Sequence, residues 1–99
     1  MPLDPSRTVE ELRELHALTG DENGAQRVAW TDTWERAREF LRGAVAETGA
    51  TEEVDEAGNQ WFTLPGASEQ ALLIGGHMDS VPNGGWLDGC LNVLAGVEV

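Results

Sequence analysis

The sequence predicts an α/β fold, on three observations. The continuously apolar run Ala71–Ile74 reads as a short strand covered on both faces. It leads straight into a polar, glycine-rich loop, Gly75–Gly89, "GGHMDSVPNGGWLDG". An apolar stretch of helical periodicity follows. Strand, polar bend and helix form the unit on which α/β proteins gather their sites, at the carboxyl end of the strand.

The elements follow in order. Thr8 and Glu11 have capping-box spacing, and Val9, Leu12, Leu15 and Leu18 continue at helical intervals until Gly20 stops the helix. "GDENGAQ" reads as a flexible polar loop. A second helix opens near Thr31–Thr33, where Asp32 and Glu35 again fit a capping box. Its apolar stripe is Trp34, Ala37, Leu41, Ala44 and Val45, and Gly49 ends it. "TEEV" and "QWFTL" flank "DEAGN", whose Gly and Asn suit the turn of a β-hairpin. From Leu87 onward the pattern is helical, with Cys90, Val93, Leu94 and Val97 on one side. Trp30, Trp34 and Trp61 are assigned to core packing. The last helix stops on apolar Val99 without a terminator, and a strand as apolar as Ala71–Ile74 asks for neighbours on both edges. The expectation is an incomplete catalytic-domain segment, with 1–26 an N-terminal helix and loop and 27–99 the segment that carries the site.

Composition narrows the function. The 99 residues hold 18 acidic and 6 basic side chains, a net charge of −12, and every basic residue is Arg. Nucleic acids and anionic membranes both require a basic patch, so neither is expected as a partner. A single cysteine, Cys90, precludes a disulfide within the chain and favours a reducing compartment. The start lacks a signal-peptide profile, and no apolar run approaches the roughly 20 residues that span a bilayer. Cytoplasmic placement is the simplest.

Chemistry concentrates in the loop. In extended backbone, residues two apart point the same way, so His77 and Asp79 share a side. His77 then has two possible roles. It can ligate a metal while Asp79 fixes its other ring nitrogen, or it can serve as a general base that Asp79 orients. The second role needs a nucleophile. Ser80 lacks the Gly-x-Ser-x-Gly elbow, and Cys90 falls on the apolar face of a helix, as a small core filler would. The first role needs more ligands, and Asp88 supplies a candidate eleven residues on, where "VPNGG" folds the chain back. A carboxylate can bridge two divalent ions, as two-metal hydrolases require. Asp88 also suits a helix N-cap. Trp86 and Asn83, in the same loop, are candidates for a substrate pocket.

The run "GGHMDSVPNGGWLDGCLNVLAGVEV" resembles the first metal-binding segment of the hydantoinase/carbamoylase-type amidases, within the dinuclear-zinc aminoacylase and carboxypeptidase superfamily. The hallmark there is roughly G-[SG]-H-x-D-[ST]-V-x-x-G-G-x-x-D-G-x-x-G-V. Upstream, "RVAWTDTWERAREFLRGAVAETGATEEVDEAGN" is similar to the family's amino-terminal region. The resemblance implies the amino-terminal portion of a zinc-exopeptidase-like catalytic domain. It implies hydrolysis of a linear amide or ureido bond by metal-activated water. It assigns His77 to one metal, Asp88 to the carboxylate bridging both, and catalytic Asp79 to buttressing His77. The cofactors implied are two divalent ions, zinc first, with manganese, cobalt or nickel as alternatives. A Glu-Glu pair, two later histidines and a lid domain complete family members, so a second polypeptide and a dimeric or higher assembly are expected, with the isolated chain inactive. His16, the other histidine, is expected at a surface or core edge. Asn92 stands where Gly is frequent and Leu87 where an aromatic is common, which points to a divergent subgroup or an altered substrate. The competing reading is a non-catalytic interaction or regulatory subunit that keeps the fold.

Overall fold

The computed structural model describes residues 2–99. Helix α1 (Pro5–Thr19) starts earlier than the expected Thr8. Asp4 is its cap, accepting from the Ser6 N–H at 3.0 Å, and Pro5 sits in the first turn, where a missing N–H is no loss. Thr8 therefore lies inside the helix and is buried with Leu12, Leu15 and Thr19, while Val9 and Leu18 face solvent. The inward stripe is set by where α1 meets its neighbours, not by its most apolar residues. Thr19 is accommodated there because its hydroxyl donates to the Leu15 carbonyl at 2.6 Å.

The polar segment after Gly20 is not a flexible loop. Strands β1 (Gly20–Asp21) and β2 (Gly24–Ala25) pair antiparallel, and the Asp21 carboxylate accepts from the Asn23 N–H at 2.8 Å across the turn. Helix α2 (Asp32–Ala46) has the expected position and apolar stripe, but its cap is Thr31 and not the expected Asp32. Thr31 accepts the Trp34 N–H at 3.3 Å as its cap, and Trp34, Ala37, Leu41 and Val45 are buried.

The hairpin is also as expected. Strand β3 (Thr51–Val54) pairs with β4 (Gln60–Thr63), Glu52 opposite Phe62 and Val54 opposite Gln60. Its turn is organised by Asp55. That carboxylate accepts from Trp61 Nε1, Asn59 Nδ2 and the Asn59 and Ala57 N–H groups, all at 2.9–3.0 Å. The Trp61 and Asn59 bonds favour the ionised form and lower its pKa to about 2. A lowered pKa contributes stability that is complete above the unfolded value near 3.8 and is lost as pH falls through about 2. Between those limits the wild-type hairpin is expected to loosen while Asp55→Asn shows no such step, read as hydrogen-exchange protection at β3 and β4.

Two expectations fail here. Only Trp34 of the three tryptophans enters the core; Trp30 is 74% exposed and Trp61 47%. Trp30 lies in the turn before α2 with φ 70°, its ring tilted against that of Trp34 at 4.7 Å, and Trp61 is held at the surface by Asp55. More consequential, Ala71–Ile74 is not a buried strand. It runs unpaired, with Leu72 83% and Leu73 75% exposed. Among the described residues no strand lies beside it, so its backbone has nothing to pair with. Ile74 alone docks, against Gly96 of α3, where a β-carbon would come within 2.8 Å of its Cγ2.

Helix α3 (Cys90–Glu98) begins after a turn in which the Leu91 N–H donates to the Leu87 carbonyl at 3.0 Å. It packs on α1 and α2. Leu12, Leu15, Ala37, Leu41, Val45, Met78, Cys90 and Leu94 form the core, with Val93 and Val97 half-buried against it. No helix among the described residues is long and apolar enough to cross a membrane.

Candidate functional site

The loop is anchored by alternation. Met78 points inward and is buried, so its neighbours His77 and Asp79 turn outward together. His77 Nδ1 lies 3.1 Å from Asp79 Oδ1 and 3.0 Å from the Asp79 carbonyl. Both partners are acceptors, so this contact assigns the proton to Nδ1. The Nε2 lone pair is then free, and it faces Asp88 Oδ2 at 3.4 Å. Two electron-pair donors facing each other call for a proton or a cation between them.

The spacing fits a cation. Two ligands each about 2.0–2.1 Å from zinc, at a tetrahedral angle, stand roughly 3.3 Å apart. The donor types, a neutral imidazole and a carboxylate, suit zinc and its first-row neighbours. Among the described residues no cluster of three or more His, Cys, Asp and Glu side chains forms a metal-binding set, so His77 and Asp88 by themselves fall short of one.

Asp88 does not cap α3. The N-cap position is Gly89, with no side-chain cap bond, which leaves the Asp88 carboxylate exposed and turned towards His77. Gly89 itself is required. Its φ is 75° and ψ −55°, and a β-carbon there would lie 2.5 Å from both the imidazole and the carbonyl oxygen of His77. Gly89→Ala is expected to destabilise the protein by about 1–3 kcal/mol for the strained backbone alone. It should also displace His77, read as a lower Tm and a shifted His77 ring resonance.

The remaining candidates lie around this centre. Trp86 is half-buried against the core, its ring 5.5 Å from that of His16, and its carbonyl accepts from Cys90 Sγ at 3.0 Å. Asn83, at φ 53°, is paired head to tail with Gln26: Gln26 Nε2 donates to its side-chain oxygen at 2.8 Å and its N–H donates to Gln26 Oε1 at 3.0 Å. His16 is half-buried at the core edge. Cys90 is fully buried, and that burial pushes its thiol pKa up, as befits a core filler and not a nucleophile.

Sequence reasoning missed Arg27. It is completely buried, and its Nε donates to the Met78 carbonyl at 2.7 Å. The only sequence signal is a lone Arg followed by apolar residues, "RVAW". Its neighbours also hold the loop. Ala25 and Gly84 exchange backbone bonds of 2.8 and 3.0 Å, and the Ser80 N–H donates to the Arg27 carbonyl at 2.8 Å.

Comparison with known proteins bears on the chain's sequence and fold. No protein-family profile matches the chain. An N-carbamoyl-L-amino acid amidohydrolase of Geobacillus stearothermophilus is 41% identical over 78 residues, 77% of this chain and 19% of that protein. An allantoate amidohydrolase of Escherichia coli K12 is 32% identical over 89 residues, 87% of this chain and 22% of that protein. The crystal structure of an amidase of the hydantoinase/carbamoylase family from Burkholderia phymatum superimposes with a TM-score of 0.84 at 33% identity, covering 98% of this chain and 24% of that one. In sequence and fold, the chain resembles one segment of the hydantoinase/carbamoylase-type amidases. It spans about a fifth to a quarter of the length of these amidases. The α/β segment expected from the sequence agrees with the amidase fold.

Proposed function

We propose that this chain is the metal-site segment of an amidohydrolase that cleaves a linear amide or ureido C–N bond, with N-carbamoyl amino acids as the substrate class. The observation that carries the reading is the approach of His77 Nε2 to Asp88 Oδ2, with Asp79 on the opposite ring nitrogen. In this reading His77 and Asp88 hold divalent metal, zinc first, with Asp88 shared between two ions. Bound there, the metals would lower the pKa of a water molecule and polarise the scissile carbonyl. Asp79 keeps the Nδ1 proton in place and thereby presents the Nε2 lone pair. Trp86 and Asn83 are the residues of this loop proposed to shape the substrate pocket.

Two donors are too few, since catalytic zinc takes about three protein ligands besides its open position. We therefore assign the remaining ligands, the general base and the lid to a second polypeptide in an oligomeric assembly. The buried lone cysteine suits a cytoplasmic location.

The test is hydrolysis of N-carbamoyl-L-amino acids and of allantoate, with metal analysis, by the chain alone and with its complementing polypeptide. The expected result is turnover only in the complemented protein, abolished by Asp88→Ala without loss of assembly. Full turnover by the chain alone would refute the divided site. Turnover that survives Asp88→Ala would refute the metal role and leave a non-catalytic interaction subunit as the better reading.

A further inference from the structure

We propose that Arg27 is the positioning residue that sets the separation of His77 and Asp88. It is the largest fully buried side chain in the described structure. Burying a guanidinium is unfavourable unless its donors are used, and the usual partner is a carboxylate. This chain has 18 acidic residues, yet none of them forms an ion pair with Arg27 among the described residues.

What the guanidinium does bind is the two arms of the loop. Nε donates to the carbonyl of Met78, the residue between His77 and Asp79, at 2.7 Å. Nη2 donates to Sγ of Cys90, two residues past Asp88, at 3.4 Å. The backbone of Arg27 completes the strap, its N–H donating to Ser80 Oγ at 2.9 Å and its carbonyl accepting the Ser80 N–H at 2.8 Å. A guanidinium is planar and rigid, so two donors on it fix the distance between the groups they reach. The arm bearing His77 and the arm bearing Asp88 are thus pinned to one flat group. A lysine ammonium, a point charge on a flexible stem, cannot impose that spacing. Every bond in this strap is made within the chain, so it holds whether or not a metal is bound. Only the metal-affinity arm of the test rests on the function proposed above.

The experiment compares wild type, Arg27→Lys, Arg27→Met and Ser80→Ala, with Leu15→Ala as a core variant outside the strap. The first readout is the 15N and 1H shifts of the His77 imidazole, distinguished from His16 with His16→Gln. The second is affinity for Zn2+ and Co2+ alone. Loss of an outer partner of a ligand weakens metal binding by roughly 10–100-fold. That loss is expected for Arg27→Lys and Arg27→Met, with moved His77 resonances. Ser80→Ala, which loosens the strap without removing the guanidinium, keeps the proposal testable if Arg27→Met fails to fold, and it should move the same resonances less. Leu15→Ala, though less stable, should move neither readout. The proposal is overturned if the Arg27→Lys and Ser80→Ala resonances match wild type, or if Leu15→Ala moves them equally. If wild type binds no metal while the Arg27 variants still displace the His77 ring, the positioning role stands and the metal reading falls.

Discussion

His77→Ala is expected to weaken divalent-cation binding to the complemented protein by more than about 100-fold, beyond the usual loss for an outer-shell partner. The imidazole is the only nitrogen donor of the His77–Asp88 pair, and its Nε2 faces Asp88 Oδ2 at 3.4 Å. Removing it leaves Asp88, whose side chain is 81% exposed, as the sole ligand that this pair contributes. Asp79→Asn should fall in the smaller range of roughly 10–100-fold, because it disturbs the ring's orientation and leaves the donor itself in place. Titration of the d–d absorption of Co2+ distinguishes the two. A His77→Ala protein that binds Co2+ within a few-fold of wild type would exclude this loop as a metal site. Hydrolysis should fall with metal occupancy and recover in Asp79→Asn at high metal, but not in His77→Ala.

Leu15→Ala is expected to give the largest loss of stability, about 2–5 kcal/mol. Leu15 is fully buried where α1 meets α2 and α3, in one cluster with Leu12, Leu41 and Leu94. Three helices close on that position, so the cavity left by truncation has little freedom to collapse. Against a typical total of about 5–15 kcal/mol, that is a large share. For a domain of this size each kcal/mol lowers Tm by roughly 4–8 °C. Thermal unfolding by circular dichroism reads it directly. A Tm lowered by less than 4 °C would mean that the three helices are not packed as one core. Val9→Ala, nearly two turns away and exposed, is the contrast and should change Tm little.

Much of the fold was legible residue by residue. Helix α2 followed from an unbroken apolar stripe, and the β3–β4 hairpin from the turn residues of "DEAGN", because in both the deciding interactions are local. The start of α1 was misread for the opposite reason. Asp4 and Pro5 outcompete Thr8 as a start signal, and the buried face is chosen by α3, which lies far along the chain at Cys90–Glu98. Ala71–Ile74 failed because a strand is only half specified by its own residues. Its other half is a neighbour, and none lies beside it among the described residues.

By itself the sequence determined the pairing of His77 with Asp79, since extended backbone turns alternate residues to one side. It also determined that "VPNGG" bends the chain back between His77 and Asp88, whereas the need for glycine at position 89, where a β-carbon would collide with the imidazole, is a tertiary contact. Only the tertiary structure decided that Asp88 faces His77 instead of capping α3, and that Arg27 is buried beneath both arms of the loop. Those are contacts between residues 11 and more than 50 positions apart, and no local propensity records them.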